Sequence, residues 1–353
     1  MSDQITLRFN GHLKAETCIS TCPPGTKSGK NDPAPLPKMT IGGALTPYFP
    51  GGGLRGTLRR RAVDLVRSAL MDGTSSPFSL NDHYYLVLGG VKGDDKEDKA
   101  DILGAEARRK ANPIIGLFGA GDPWQQGRLY VSHAVPPAEQ ADIQAVRGAR
   151  VDDFARSGDN LHVLSEDERQ KWLHIAQVNS QRSGKDKELK KLEAGLRDRG
   201  ASEDSKKEMK ARAAALEAEI KALSDSSDYS NSINRPLDGY EVIPPGTDMA
   251  HSMTLSFGNM MEVGLLMGSL RFWALDPWIG AHKSHGCGIV SGHWDVTIRR
   301  GYESAYEEFG HVTMAPFEGV TGRDELMAAE ADFMAALKDG TDTFSFKYPV
   351  RAA

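Results

Sequence analysis

The stretch PGGGLRGTLRRR, residues 50–61, is the densest chemical signal in the chain. Three consecutive glycines allow positive φ angles and a close approach of a ligand to the backbone. The following residues, 54–71, carry apolar side chains at helical spacing, and Asp72-Gly73 is typical of a helix end. The stretch therefore predicts a glycine loop that leads into an amphipathic helix.

Such a helix start is suited to binding an anion, because free N–H groups and the positive end of the helix dipole lie there. Arg55 and Arg59 are one turn apart, so we expect both guanidinium groups to reach one run of phosphates. Two alternatives stay open: a surface helix with solvated arginines, and a dinucleotide fingerprint formed by Gly51, Gly53 and Gly56. Prolines before the glycines interrupt the strand that the fingerprint requires, which favours a polyanion.

A second basic, glycine-rich segment is GAHKSHGCGIVSG, residues 280–292. Its glycines permit close backbone approach, and its lysine, serine and histidines are donors to phosphate or sugar. One alternative is a tight turn before a strand. Another is a zinc site, although the ligand spacing matches no familiar four-ligand pattern. The residues of that zinc alternative are His282, His285 and Cys287, with Cys18 and Cys22.

The rest of the chain predicts alternating strands and helices. Alternation of Ile5, Leu7 and Phe9 with polar residues predicts a strand within 4–21. Prolines make 22–50 a long loop, and charges make 74–112 a surface excursion. Further strands are expected at 128–135, 252–257, 289–298 and 343–348, and further helices at 185–198, 203–223, 260–275 and 324–337. This order predicts an α+β fold with helices on one face of an antiparallel sheet.

Composition excludes several classes of protein. The 353 residues carry 43 basic and 48 acidic side chains, a formal net charge of −5, and 39% are hydrophobic. No apolar run approaches the roughly 18 residues of a membrane span. The first residues, MSDQITLRFNGHLKAE, lack the pattern of a secretory signal, and three cysteines are too few for a disulfide scaffold. We therefore expect a cytoplasmic protein without a membrane partner.

Four segments, in this order, resemble the RAMP superfamily of CRISPR proteins, and specifically the backbone subunit that repeats along the guide RNA. The first resembles the family pattern P-Y-I-P-G-S-S-[LI]-[KR]-G and the second its L-F-G segment. The third resembles N-S-I-D-R…E-x-V-P-x-G-[ST] and the fourth G-G-x-x-S-R-G-x-G-x-V. Here they read PYFPGGGLRG (47–56), LFG (117–119), NSINR (231–235) with EVIPPGT (241–247), and GAHKSHGCGIV (280–290).

The resemblance implies a ferredoxin-like, RRM-like palm with inserted fingers and thumb. The helical hairpin that the residue pattern predicts at 185–223 lies outside the resemblance, as an additional insertion. The expected division is a first palm part at 1–73 and a fingers-like insertion at 74–125. A palm strand follows at 126–135. The thumb region at 136–250 contains the helical hairpin 185–223, and the second palm part is 251–353.

The resemblance also implies guide-RNA (crRNA) binding, independent of guide sequence, and no cofactor or metal. Partners would be the guide, target nucleic acid paired with it, copies of the same chain in a helical filament, and other CRISPR effector subunits. The implied RNA contacts are Gly52, Gly53, Arg55, Arg59, Arg60, Asn231, Arg235, Lys283, Ser284, His285 and Gly286.

Three departures from the family pattern favour the type IV branch over type III. Gly52 and Gly53 replace two serines, His285 replaces an arginine, and the helical insert is long. The alternative function is a type III-like, metal-dependent endoribonuclease that cuts target RNA with Asp32, which lies in the corresponding loop. A lone aspartate in a proline-rich loop is also a common turn former. We expect a non-enzymatic subunit.

Overall fold

The computed structural model of the chain describes residues 4–21, 33–71, 78–90, 102–150, 158–197, 203–225, 235–339 and 344–349. The strands are β1 (Ile5–Ala15), β2 (Lys38–Ile41), β3 (Ala44–Pro47), β4 (Ala120–Gly121), β5 (Trp124–Gln125), β6 (Leu129–Val131), β7 (Gln144–Arg150), β8 (Arg235–Val242), β9 (Asp248–Gly258), β10 (Val290–Arg300), β11 (Glu307–Ala315) and β12 (Gly319–Gly322). The α-helices are α1 (Gly51–Leu70), α2 (Leu80–Leu88), α3 (Ile102–Ala111), α4 (Pro113–Phe118), α5 (Glu166–Arg197), α6 (Glu203–Asp225), α7 (Met260–Leu275) and α8 (Asp324–Lys338).

A six-stranded antiparallel sheet has the order β12-β11-β10-β1-β9-β6. Strand β1 lies in its interior and pairs with β10 along its whole length. Leu7, Phe9 and Leu13 on β1 are fully buried, whereas Arg8 and Asn10 between them are exposed. The alternation of apolar and polar residues in the sequence therefore reflects a sheet with one face covered by the core and one face open.

The four strands β10-β1-β9-β6 have ferredoxin-like topology. Helix α1 connects β1 to β6, and α7 connects β9 to β10. In each of these two units another strand lies between the connected strands: β9 between β1 and β6, and β1 between β9 and β10. Two such split β-α-β units define the fold and confirm the predicted α+β class.

Helix α7 has the bounds that the sequence predicts, because strong signals coincide at its start. Asn259 caps the helix by accepting from the backbone N–H of Glu262, while the Glu262 side chain accepts from the backbone N–H of Asn259. Glu262 is itself buried and paired with Arg128 at 2.9 Å. Trp273 on α7 and Trp294 on β10 are fully buried in the core.

Several predicted loops contain secondary structure. The expected loop 22–50 contains the hairpin β2–β3, whose turn residues Gly42 and Gly43 both have positive φ. Segment 74–112 contains α2 and α3, and Tyr85 and Leu86 of α2 are buried, so it is more than a surface excursion.

At the C-terminal side, β11 and β12 extend the sheet beyond β10, although the sequence analysis did not predict them. The closing strand expected at 343–348 is not present in the described part, 344–349.

The chain divides into two units, Met1–Val146 with Gly239–Ala353, and Arg147–Asp238. The second contains the predicted helical hairpin, formed by α5 and α6, with α5 beginning earlier than expected. The ion pairs of Lys185 with Glu219 and of Glu188 with Arg212 run in opposite order along the two helices, which shows that the helices are antiparallel. Among the described residues no helix is long and apolar enough to cross a bilayer. The division into palm, fingers and thumb stays a prediction.

Candidate nucleic-acid interface

The three glycines at 51–53 form the first turn of α1, not a loop before it. The preceding residue, Pro50, is extended (φ −63°, ψ 129°), and no side chain caps the helix. None of the three glycines has a positive φ. The predicted glycine loop is therefore wrong, because Pro50 precedes the helix as its N-cap residue and the helix begins at Gly51. The dinucleotide fingerprint, which needs a glycine turn before the helix, does not fit this geometry either.

Gly51 is required by the protein's own packing. A Cβ atom at this position would lie 2.6 Å from the carbonyl oxygens of Val131 and Ser132. The backbone N–H of Gly51 donates to Nδ1 of His133 at 2.9 Å. Glycine at this position thus allows α1 to lie directly against the backbone at the end of β6.

Gly52 and Gly56 are different, because a Cβ atom at either position would have nothing within 4 Å. They lie one turn apart at the start of α1, and Gly52 is exposed. Glycine in a helix is less stable than alanine by about 1 kcal/mol. The described residues supply no packing reason for either glycine, so one strip of α1 is left as bare backbone at a cost in stability.

Arg59 does not face solvent, contrary to expectation. Its side chain is buried (8% exposed), and its guanidinium donates to four backbone carbonyls. The acceptors are Tyr85 and Leu86 in α2, and Phe118 and Gly119 in the LFG segment, at 2.6–3.4 Å. Burial, with repulsion from Arg55, lowers the pKa of Arg59 to about 10, so it stays charged at neutral pH. Its role is to connect α1 to α2 and the LFG segment.

Arg55 is half-buried and shares this role. It donates to the carbonyl of Phe118 at 2.7 Å and to that of Leu129 at 3.4 Å. Burial lowers the pKa of its guanidinium. The shared surface predicted for Arg55 and Arg59 therefore exists, but it faces backbone carbonyls of the protein.

Arg60 and Arg61 lie on another side of the helix. Arg60 is exposed, with a hydrogen bond of 3.4 Å to Thr57 Oγ1, one turn back on the helix. Arg61 is half-buried and pairs with Asp276 and with Asp64. Of the arginines that the sequence analysis selected on α1, Arg60 has the exposure that a phosphate contact needs.

The second glycine-rich segment forms a short 3₁₀ turn, Lys283–His285, between two residues in left-handed conformation, His282 and Gly286. Its four predicted contact residues, 283–286, are all exposed. The pKa of Lys283 is lowered, mainly because neighbouring atoms partly desolvate its ammonium group although the residue as a whole is exposed; Asp276 raises this pKa, and Arg61 and Arg60 lower it. Because charges act on one another appreciably only at short range, Lys283 lies near Arg60 and Arg61 of α1.

Residues 18–20 and Phe49 contact several of the segments that resemble the family motifs. Ile19 N–H donates to the carbonyl of Ile243 at 2.9 Å, and Ala281 N–H donates to that of Ser20 at 2.8 Å. The Phe49 ring separates Gly53 from Gly280, since a Cβ atom at either glycine would lie 3.0–3.2 Å from it. The motif-like segments 47–56, 241–247 and 280–290 are therefore held together within the protein, through residues 18–20 and the Phe49 ring.

Tyr240 and His282 form a stacked pair that the sequence analysis did not predict. Their ring centroids are 3.7 Å apart and the planes differ by 7°. Tyr240 Oη also lies 3.2 Å from Nδ1 of His285. Burial and the neighbouring thiol of Cys287 raise the pKa of Tyr240 to about 12. The partners are 42 positions apart in the sequence, and no local pattern signals such a contact.

The zinc alternative finds no support among the described residues. Cys18 Sγ lies 2.9 Å from Cys287 Sγ, and the rings of His282 and His285 stack with centroids 5.6 Å apart. In the described ranges, no group of three or more His, Cys, Asp or Glu side chains is placed to hold a metal ion.

Other predicted residues lie outside what the structure describes: Cys22, Asp32, Asn231 and the side chain of Arg235.

The topology and the grouped motifs define a ferredoxin-like protein with a basic, glycine-containing surface. The RAMP superfamily model matches residues 26–291, well over half of the chain, so the chain belongs to the RAMP superfamily. No curated protein matches the chain. Among solved structures, a chain of the "Type IV-B CRISPR Complex" is similar, with 13% identity and a TM-score of 0.42 over 86% of this chain and 93% of that one. This TM-score marks a distant similarity.

Proposed function

We propose that this protein is a guide-RNA-binding backbone subunit of a CRISPR ribonucleoprotein complex. Membership of the RAMP superfamily supports the class of protein. The observation that carries RNA binding is the strip of bare backbone at Gly52 and Gly56, which the chain keeps at a cost in helix stability. A ligand that comes close enough to the helix to occupy the space of an alanine methyl group explains why both positions are glycine.

A sugar–phosphate backbone has the shape and charge for this strip. The N-terminus of this 20-residue helix attracts negative charge through its dipole. Arg60 and Lys283 add cations on the same surface, and Ser284 adds a hydroxyl donor. Such contacts hold the backbone of the strand without distinguishing bases, so binding is independent of guide sequence and decreases with salt.

The proposal differs from the sequence-based expectation in its residues. Arg59 and Arg55 position the helix through carbonyl contacts, while Arg60 takes the contact to phosphate. Lys283, Ser284, His285 and Gly286 remain proposed contacts.

The remaining functional predictions stand as proposals. They are the contacts of Gly53, Asn231 and Arg235, a head-to-tail filament of copies along the guide, pairing of the guide with target nucleic acid, other CRISPR subunits as partners, a non-enzymatic role and the type IV branch.

A copurification experiment tests the proposal. The full chain, expressed with a CRISPR array, is expected to purify with a discrete RNA of fixed length. Arg60→Gln with Lys283→Gln should reduce the bound RNA at least tenfold. A matched control is Arg323→Gln with Lys338→Gln, which removes the same charge from exposed positions at α8. RNA retention that is equal in both double variants would contradict the proposed site.

A further inference from the structure

The face of the sheet that α1 and α7 leave open carries polar and planar side chains. On β1, residues at even positions from Arg8 to Lys14 alternate with the buried core residues, and the same alternation holds on β10. Strand pairing aligns His12 with His293 and Asn10 with Asp295. The side chain of Asp295 is 81% exposed. We call this surface the open face.

At one end of the open face, arginine side chains lie over aromatic rings. The Arg8 guanidinium lies 4.0 Å from the ring centroid of Tyr306. Arg299 lies 5.3 Å from the same centroid and 5.7 Å from that of Phe257. The ring of Tyr302, a residue that is 85% exposed, is 5.5 Å from Phe257.

Phe257 is held in this cluster by an unusual backbone conformation. Its φ is +52°, a region that an aromatic residue occupies only at a cost of about 1–3 kcal/mol. Strained residues of this kind are concentrated at ligand-binding sites. The strain places the Phe257 ring beside Arg299 at the edge of the open face.

A row of three histidines crosses the middle of the open face. The ring centroids of His12 and His293 are 5.9 Å apart, and those of His293 and His311 are 5.8 Å apart. His293 Nδ1 lies 2.9 Å from Thr313 Oγ1 and its Nε2 lies 3.9 Å from Asp295. Because β1, β10 and β11 are adjacent, the row lies across the strands.

The two groups are separated by a distance that a few nucleotides would span. His12 follows Arg8 by four residues on β1, which is about 13 Å along a strand. Single-stranded nucleic acid binds proteins by stacking its bases on aromatic, histidine and arginine planes, while cations contact phosphates. Arg8, Lys14 and Arg299 supply cations on this face.

We propose that the open face binds a segment of single-stranded nucleic acid, distinct from the strand proposed at α1. The bases stack on the arginine–aromatic cluster and on the histidine row, and the cations contact the phosphates. The proposed site lies on the face of the sheet opposite the buried core residues, so it does not depend on the glycine strip on α1.

Crosslinking of the full chain with its copurified RNA tests this site without any substitution. Photoreactive single-stranded RNA and DNA hexamers of one sequence are added to the complex, and the crosslinked peptides are mapped. Crosslinks on β1, β10 or β11 with either hexamer support the site, and the hexamer with the higher yield identifies the strand as RNA or DNA. Crosslinks confined to other segments, or a duplex that competes as well as a single strand, would overturn it.

A pair of adjacent arginines gives a matched test of affinity. Arg299→Gln removes a cation from the open face, whereas Arg300→Gln removes one from the neighbouring residue, which pairs with Glu307 at 2.9 Å. Fluorescence anisotropy with the hexamers should show about tenfold weaker binding for Arg299→Gln and no change for Arg300→Gln. Equal affinities would overturn the inference. The guide-site variant Arg60→Gln with Lys283→Gln should leave hexamer binding intact, so failure of one proposal is distinguishable from failure of the other.

Discussion

Replacing Gly52 and Gly56 by alanine separates packing from binding on α1. Because a Cβ atom at either position meets nothing within 4 Å, neither substitution requires any atom to move. Alanine also restricts the unfolded chain more than glycine does. We therefore expect the double variant to be more stable than the native protein, although it binds RNA less well.

The expected gain in stability follows from helix position. Gly56 lies inside the helix, where Gly→Ala contributes about 1 kcal/mol. Gly52 lies in the first turn, where backbone freedom is reduced less, and we assign it about 0.5 kcal/mol. The sum of about 1.5 kcal/mol corresponds to an increase in Tm of roughly 3 °C for a unit of this size. Two methyl groups that displace a phosphate backbone should weaken RNA binding about tenfold, or about 1.4 kcal/mol.

Gly184→Ala is the matched control. Gly184 lies inside α5, and a Cβ atom there also meets nothing within 4 Å. Calorimetry on RNA-free protein measures the stability of each variant, and anisotropy with a labelled guide measures affinity. The control should stabilise its own helix and leave RNA affinity unchanged.

Two results would refute this reasoning. A Gly52→Ala, Gly56→Ala protein that binds RNA as tightly as the native protein would remove the argument for a ligand at the bare strip. A loss of stability in that protein would show that the space around these glycines is occupied after all.

Three further predictions concern buried groups. Arg59→Met should lower the free energy of unfolding by about 3 kcal/mol in a denaturant titration, because four carbonyl contacts are lost, whereas Arg60→Met should change it by less than about 0.5 kcal/mol; equal effects would contradict the opposite orientations of these side chains. Burial lowers the pKa of His251 to about 4, below its unfolded value of about 6.5, so the unfolded state binds the extra proton. Stability should then fall by about 3 kcal/mol between pH 6.5 and pH 4, and His251→Asn should flatten that part of the curve; an unchanged slope would argue against the buried neutral ring. Arg128→Met should cost about 3–5 kcal/mol, because it leaves Glu262 buried without its cation, and the double change with Glu262→Gln should recover part of the loss.

The class of fold could be predicted from local patterns. The alternation at Ile5, Leu7 and Phe9 predicted β1, and the apolar residues of 260–275 predicted α7, because both signals act within a few residues. Edge strands were harder to predict. Strand β11 contains a bulge in its pairing with β10, and β12 has four residues, so neither has a long regular alternation.

At the candidate site, the spacing of the arginines is a local property, whereas the direction in which each arginine points depends on tertiary contacts. The order of residues determined that the arginines share one helix, since helical spacing is a local property, but not that the glycines form the first turn of that helix. It did not determine that Arg59 faces α2 and the LFG segment while Arg60 faces solvent. A buried guanidinium is stable only where several carbonyls converge on it, and these carbonyls come from segments far along the chain. The stack of Tyr240 on His282 is likewise a product of tertiary contact.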